Sequence, residues 1–266
     1  MNIVINTLLF ILVVFISMFL SVASIEFYQK MILTIITWGI GFHFYFRNLE
    51  LFVPTLFFII NTVLVPISIY LMEMLSIKIP QLYFILSIIV YLSIVLNINK
   101  FKKNITWLKL GKFDIKIILL IFMMAILSGL SLFIWAVYIK KDLSEFRKFI
   151  PNISFEFIIL FGFIFAILNS FFEEFLARAV LFDGFLNIFQ NIAIVIIGQA
   201  LVFSIWHYNG FPGGPIGVIL VFIWSIFLGI IRYLAKGMMP PMIAHFFADL
   251  SIAIILFFLV VLPNRP

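Results

Sequence analysis

Three short clusters of polar residues interrupt the apolar second half of the chain, and each cluster has helical spacing. The clusters are Glu173, Glu174 and Arg178; Phe203 and His207; and His245 and Asp249. Charged side chains are costly inside a bilayer, and those found there usually face a cavity and carry out chemistry. A glutamate, two histidines and an aspartate can activate a water molecule and stabilise an oxyanion. The combination therefore indicates a hydrolytic site, with peptide-bond cleavage as the expected reaction.

The first cluster predicts one paired and one available carboxylate. Glu174 and Arg178 are four residues apart, which puts them on one helix face with the acid N-terminal to the base. Arg178 can then neutralise Glu174 and leave Glu173 available as a general base or acid. The alternative is a purely structural Glu–Arg clamp with a second glutamate at the end of a helix.

The two histidine clusters are predicted to face the same interior. His207 closes an apolar segment, where a lone histidine is commonly an interfacial residue, but the chain contains only 3 histidines and two of them fall in these clusters. His245 and Asp249 share a helix face, so the aspartate can fix the tautomer and orientation of the imidazole. The alternative for this pair is an interhelical hydrogen bond that only joins helices.

The elements that must position these residues are membrane helices. The chain has 266 residues, of which 65% are hydrophobic and 11% charged, and its mean hydropathy is +1.30. Soluble domains carry about a quarter charged residues, so an ordinary soluble domain is excluded. The absence of Cys excludes disulfides and thiolate metal sites. The net charge of +6 comes from lysines between apolar segments, without an aromatic and basic groove, and we expect no nucleic-acid partner.

About 20 mostly apolar residues are needed to span a bilayer, and eight stretches of the chain qualify. They are Ile3–Val22, Leu51–Leu75, Gln81–Ile98, Ile117–Ile139, Phe155–Phe182, Ile192–His207, Ile216–Leu234 and Met242–Leu262. Met31–Phe46, which holds His43, is a shorter ninth candidate. The first stretch lacks the basic n-region of a signal peptide and is interpreted as a transmembrane helix. The sequence thus predicts an all-α polytopic membrane protein, a bundle of about eight transmembrane helices that encloses a polar catalytic cavity.

In these residues the chain resembles the CPBP family, which comprises CAAX proteases and bacteriocin-processing membrane proteins and is also called Abi. That family is marked by Glu-Glu-x-x-x-Arg, then Phe-x-x-x-His, then His-x-x-x-Asn or Asp, in this order. Here the motifs are Glu173-Glu174…Arg178, Phe203…His207 and His245…Asp249. The resemblance covers about Phe155 to Leu262. We therefore expect residues 1–150 to form family-variable N-terminal helices and 151–266 the catalytic core, within a single integral membrane domain.

The resemblance implies a glutamate-type intramembrane endopeptidase. Glu173 with His207 would activate the attacking water, and His245 with Asp249 would form the oxyanion site. The supporting residues would be Glu174, Arg178 and Phe203. The third motif ends in Asp249, and an aspartate is a poorer oxyanion donor than an asparagine unless it is protonated.

The cofactor expectation is a metal-free site. Family members have often been labelled metalloproteases, and Glu173, His207 and His245 could in principle hold Zn²⁺ with an open position. Arg178 and Glu174 argue against a metal, because they indicate that the carboxylates are committed to pairing and acid–base work. The other hydrolase signatures, His-Glu-x-x-His and Gly-x-Ser-x-Gly, are missing from the sequence.

The expected partners are the lipid bilayer and a peptide or membrane-protein substrate, lipidated or not. The bias towards Ile, Phe, Lys and Asn is typical of a low-GC bacterium, so we expect a multi-pass protein of a bacterial cell membrane. Two other functions stay open from sequence: a non-catalytic bacteriocin-immunity or peptide-binding membrane protein, and a proton-coupled transporter. The absence of an inverted repeat speaks against the transporter.

The positions of the two histidines along their spans constrain how the helices can be arranged. If every span is straight, His207 and His245 lie at opposite membrane faces. The site can close only if one helix is short, bent or partly re-entrant. A turn of residues Phe175–Gln190 along the interface is one arrangement that would achieve it.

Overall fold

A computed structural model describes residues 2–22, 26–75, 80–150 and 154–264, and within these ranges it contains helices, turns and no strand. The α-helices are α1 (Ile3–Val22), α2 (Phe27–Arg47), α3 (Leu49–Met74), α4 (Ile85–Asn97), α5 (Asn99–Lys102), α6 (Ile115–Ile134), α7 (Phe155–Glu174), α8 (Phe182–Leu186), α9 (Ile192–Trp206), α10 (Gly214–Ala235) and α11 (Met239–Leu256). Short 3₁₀- or π-helical segments extend or connect them at Pro80–Phe84, Trp135–Lys140, Ser144–Phe149, Phe175–Leu181, His207–Asn209, Phe257–Val261 and Leu262–Asn264.

Seven helical segments of the described residues are long and apolar enough to cross a membrane. They correspond to seven of the eight predicted spans, and the remaining one, Gln81–Ile98, corresponds to the shorter apolar helix Leu82–Asn97. The ninth candidate, Met31–Phe46, lies within α2, which carries Lys30, His43 and Arg47 and is not among the seven. The protein is therefore an all-α, multi-pass integral membrane protein, as the sequence predicts.

The expected turn of Phe175–Gln190 along the interface is not present. Helical backbone instead continues from α7 through the π-helical Phe175–Leu181 into α8, and ends at Leu186. Two charged residues of this stretch, Arg178 and Asp183, have partners inside the protein. Arg178 pairs with Glu174 on its own helix, and the buried carboxylate of Asp183 accepts a hydrogen bond from the backbone N–H of Thr106 at 2.8 Å.

Contacts between residues group the chain into two compact units, Met1–Thr106 with Val180–Val195 and Trp107–Ala179 with Ile196–Pro266. This grouping describes packing, whereas the boundary at residue 150 came from the family resemblance and stays a prediction. In the first unit, the buried Phe10 ring packs edge-on against Phe58 and Phe185, with ring centroids 6.1 and 5.7 Å apart.

The second unit contains all three polar clusters and the helices that position them. A buried apolar cluster joins α6, α10 and α11 and consists of Ile117, Ile121, Met124, Leu228, Ile231, Ala235 and Ala244. Helix α11 also packs closely on α7, because a Cβ atom on Gly162 would lie 3.1 Å from the Cβ atom of Ala253. The catalytic candidates on α7 and α11 are thus carried by directly packed helices.

A short backbone clasp fixes the turn between α10 and α11. Its three hydrogen bonds run from Lys112 N–H to Ala235 O (2.9 Å), from Met238 N–H to Lys109 O (3.0 Å) and from Met239 N–H to Leu110 O (2.9 Å). The ends of α-helices leave such carbonyl and N–H groups without intrahelical partners. The clasp satisfies these groups and sets where α11, the helix of His245, begins.

The clasp requires a glycine at position 237. A Cβ atom there would collide with the backbone N and Cα of Gly111, which itself has a φ of +100°. We expect Gly237→Ala to lower the free energy of unfolding by about 1–3 kcal/mol, because the backbone must move to admit the methyl group. Thermal unfolding of the purified protein in detergent measures the change. Gly39→Ala is the matched control, since a Cβ atom at that position meets nothing within 4 Å; equal unfolding midpoints for the two variants would contradict the assignment.

Candidate active site

Helix α7 ends in two adjacent glutamates whose environments differ. The side chain of Glu174 is 0% exposed, whereas that of Glu173 is 25% exposed. Arg178 Nη1 donates to Glu174 Oε1 at 2.9 Å, which is the pairing that the four-residue spacing predicts. Successive residues on a helix point about 100° apart, so Glu173 faces a different set of neighbours from its buried companion.

The guanidinium of Arg178 is enclosed by α9 and α10. Its Nη2 donates to the hydroxyl and the carbonyl oxygen of Ser225 at 2.8 and 3.2 Å. Its Cζ atom lies 5.0 Å from the ring centroid of Phe203 and 5.8 Å from that of Trp224. Phe203 therefore packs directly on the arginine of the first cluster. An arginine with these hydrogen bonds and ring contacts is held rigidly.

His207 lies at the end of α9 and reaches Glu173. Its Nδ1 is 3.0 Å from the carbonyl oxygen of Phe203, and its Nε2 is 3.2 Å from Glu173 Oε2. A carbonyl oxygen only accepts hydrogen bonds, so Nδ1 carries a proton. The contact at Nε2 then needs one further proton, held by either the imidazole or the carboxylate. His207 and Glu173 thus form a pair that can share a transferable proton.

His245, on α11, lies between the two glutamates. Its Nδ1 is 2.7 Å from Glu174 Oε1. Its Nε2 lies 3.4 Å from Glu173 Oε2 and 3.5 Å from Asp249 Oδ2. The indole of Trp224 packs edge-on against the imidazole, with ring centroids 4.6 Å apart at 88°. Glu174 and Trp224 therefore fix the imidazole ring, while its Nε2 faces the more exposed carboxylate of Glu173.

The three clusters converge on one carboxylate. Glu173 Oε2 is the common neighbour of both histidines. His207 directly follows the last residue of α9, Trp206. His245 lies six residues into α11, or about 9 Å from its beginning. The two histidines thus meet at Glu173 although one follows the end of its helix and the other lies near the start of its own.

Several residues of the site were not foreseen from the sequence. Asn169, one turn before Glu173, donates from Nδ2 to Asp249 Oδ2 at 3.2 Å. The buried Gln199 donates to the Ser225 carbonyl oxygen at 3.2 Å, and Arg232 Nε donates to the Arg178 carbonyl oxygen at 3.2 Å. In the sequence, these three residues stand out only as polar residues in otherwise apolar helices.

The three candidate zinc ligands, Glu173, His207 and His245, meet at the Glu173 carboxylate. In the part of the chain that the structure describes, no group of three or more histidine, aspartate or glutamate side chains is arranged to hold a metal ion. The metal-free site stays a prediction.

A family comparison matches the same part of the chain. Residues 155–251 match the family model of type II CAAX prenyl endopeptidase Rce1-like proteins. Over these residues, the chain is similar to the Rce1-like family, which supports the CAAX-protease resemblance of the three motifs. The matched range includes all seven residues of the three clusters. No curated protein and no solved structure matches the chain significantly.

The similarity to the Rce1-like family supports the general activity of a CAAX-type endopeptidase in a membrane. It agrees with the multi-pass architecture, since the matched range includes α7, α9 and α10 completely and most of α11.

The buried pair of Arg178 and Glu174 is predicted to be essential for stability. Replacing Arg178 with methionine leaves the Glu174 carboxylate buried without its cation, and we expect a loss of about 3–5 kcal/mol in the free energy of unfolding. Thermal unfolding in detergent measures the loss. Lys140→Met is the control, because Lys140 and Glu145 form an exposed pair at 2.7 Å and exposed pairs contribute little. Similar losses in the two variants would refute the prediction.

Proposed function

We propose that the chain is a glutamate-type intramembrane endopeptidase in which Glu173 activates the water that attacks the peptide bond. The observation that carries the proposal is the position of Glu173 Oε2, 3.2 Å from His207 Nε2 and 3.4 Å from His245 Nε2. Of the two adjacent glutamates, only Glu173 is partly exposed, so a water molecule and a substrate carbonyl group can reach it.

The first step is deprotonation of water and attack on the carbonyl carbon. Glu173 accepts a proton from the water, and the new C–O bond forms as the carbonyl π electrons move to oxygen. His207 steadies Glu173, because its Nδ1–H is fixed on the Phe203 carbonyl oxygen. A positioned carboxylate of this kind typically contributes about 10²- to 10⁴-fold to the rate.

The second step needs a donor for the oxyanion and a proton for the leaving amine. His245 and Asp249 form the oxyanion site: Nε2–H of His245 donates to the oxyanion, and Asp249, 3.5 Å from Nε2, holds the ring in place. Collapse of the tetrahedral intermediate breaks the C–N bond, and the proton stored on Glu173 and His207 passes to the amine. The sum is one water added across one peptide bond.

Glu174 and Arg178 support the site without touching the reacting atoms. Glu174 Oε1 accepts from Arg178 Nη1 at 2.9 Å and lies 2.7 Å from His245 Nδ1. The buried carboxylate thereby fixes which way His245 faces, as carboxylates next to catalytic imidazoles commonly do. Phe203 packs on Arg178 and on His207, the latter with ring centroids 4.4 Å apart.

The proposed substrate is a membrane-associated peptide or protein. The family description names a prenyl endopeptidase, which supports a lipidated peptide as the first candidate. The partly exposed Glu173 lies near the middle of a membrane-spanning segment, Glu156–Leu186. A scissile bond that reaches Glu173 must therefore enter the bilayer, either within a hydrophobic peptide or next to a lipid anchor.

The proposed catalytic residues can be tested by substitution. We expect Glu173→Gln, His207→Ala and His245→Ala to lower kcat by about 10²- to 10⁴-fold, measured in proteoliposomes with fluorogenic peptides that are farnesylated or not lipidated. His43→Ala and Glu156→Gln are matched controls on the exposed surface and should keep activity. A wild-type protein that binds peptides without cleaving them would instead support the binding-protein alternative, and ion-coupled uptake would support the transporter.

The metal-free mechanism makes a separate prediction. Because the proposed proton transfers use only Glu173 and the imidazoles, activity should be unchanged after incubation with a strong chelator. The measurement is the cleavage rate before and after chelation, with re-addition of Zn²⁺ as the control. Loss of activity that Zn²⁺ restores would reject the metal-free mechanism while leaving the endopeptidase function intact.

A further inference from the structure

Asn169 is a buried polar residue on α7 that the mechanism above does not use. It precedes Glu173 by four residues, so the two side chains leave the same helix face one turn apart. Only 6% of its surface is exposed. Its Nδ2 donates to Asp249 Oδ2 at 3.2 Å, and this bond joins α7 to α11. The same aspartate oxygen lies 3.5 Å from His245 Nε2.

We propose that Asn169 is a positioning residue of the active site, which acts on His245 through the carboxylate of Asp249. The proposal rests on the proposed endopeptidase function and deepens it. The chain Asn169–Asp249–His245 ends at the Nε2 atom that is assigned to the oxyanion.

The chemistry of the pair favours an amide at position 169. Asp249 lies near two further carboxylates, those of Glu173 and Glu174, and Arg178 is the one permanently charged cation in this group of described residues. An amide N–H can hold a carboxylate in place without carrying a charge that titrates. Because Asp249 Oδ2 accepts from Asn169, it presents an acceptor to His245 Nε2, and Nε2 must then carry the proton that an oxyanion requires.

Removing the amide donor at position 169 tests the inference. We expect Asn169→Ala to lower kcat by about 10- to 100-fold with little change in KM, the usual cost of removing a residue that orients a catalytic ligand. Asn169→Asp, which has nearly the same shape, should lose at least as much, because two carboxylates then face each other.

The measurement is steady-state cleavage of whichever farnesylated or unlipidated fluorogenic peptide the full-length wild type cleaves fastest, with unfolding midpoints recorded for every variant. Ser170→Ala is the matched control on α7, because the buried Ser170 hydroxyl donates only within its own helix, to the Ile167 carbonyl oxygen at 3.1 Å. Its kcat should stay at the wild-type value. A fall in kcat of Asn169→Ala with an unchanged KM and an unchanged unfolding midpoint is a result that a merely structural role for Asn169 would not produce.

The possible failures are distinguishable. If the wild type and Glu173→Gln are equally unable to cleave any peptide, the proposed function fails and the inference fails with it. If the wild type cleaves and Glu173→Gln does not, but Asn169→Ala keeps its kcat, only the inference is overturned. An equal loss of kcat in Asn169→Ala and Ser170→Ala also overturns it, because the effect would then not be specific to the amide of Asn169.

Discussion

A single buried carboxylate, that of Glu174, holds the site together. Its Oε1 meets Arg178 on its own helix and His245 on α11, and Arg178 continues the connection to Ser225 on α10. A buried charge is tolerated only when it is paired and hydrogen-bonded, so these partners cannot separate without leaving a charge in an apolar interior. The relative register of α7, α10 and α11 therefore follows from the requirement to neutralise one glutamate.

The two adjacent glutamates have different partners. Because neighbours on a helix diverge by about 100°, Glu174 faces the guanidinium while Glu173 faces the end of α9. The imidazole of His245 fits between them, with one nitrogen 2.7 Å from the first carboxylate and the other 3.4 Å from the second. Because the imidazole ring is rigid, the position of the Glu174 carboxylate determines where His245 Nε2 lies relative to Glu173.

The sequence predicted the membrane architecture and the seven residues of the three clusters, because both depend on composition and local spacing. An apolar run long enough to span a bilayer needs no partner to be recognised, and Glu174 with Arg178 is a contact within one helix. Asn169 and Ser225 could not be assigned in this way. Their importance depends on residues 80 and 47 positions away, and a single polar residue in an apolar helix has no distinguishing pattern.

The sequence predicted where α9 ends, but not the contact that His207 makes there. The predicted span Ile192–His207 agrees with α9, which ends at Trp206. The helix ends where the 3₁₀ turn His207–Asn209 begins, and that turn closes through a hydrogen bond from Gly210 N–H to the His207 carbonyl oxygen at 2.9 Å. Pairing of His207 with Glu173 is a tertiary contact that a sequence window does not contain.

The end of α9 also bears on how water reaches the candidate site. The last four carbonyl groups of an α-helix lack intrahelical partners, and irregular backbone in a membrane protein is tolerated only inside protein or along a hydrated cavity. Tyr208 and Asn209 are exposed, and His207 is partly so. His207 thus joins an exposed turn to Glu173, 3.2 Å from its Nε2. Water that solvates this turn is the nearest source of the reactant that the proposed hydrolysis consumes.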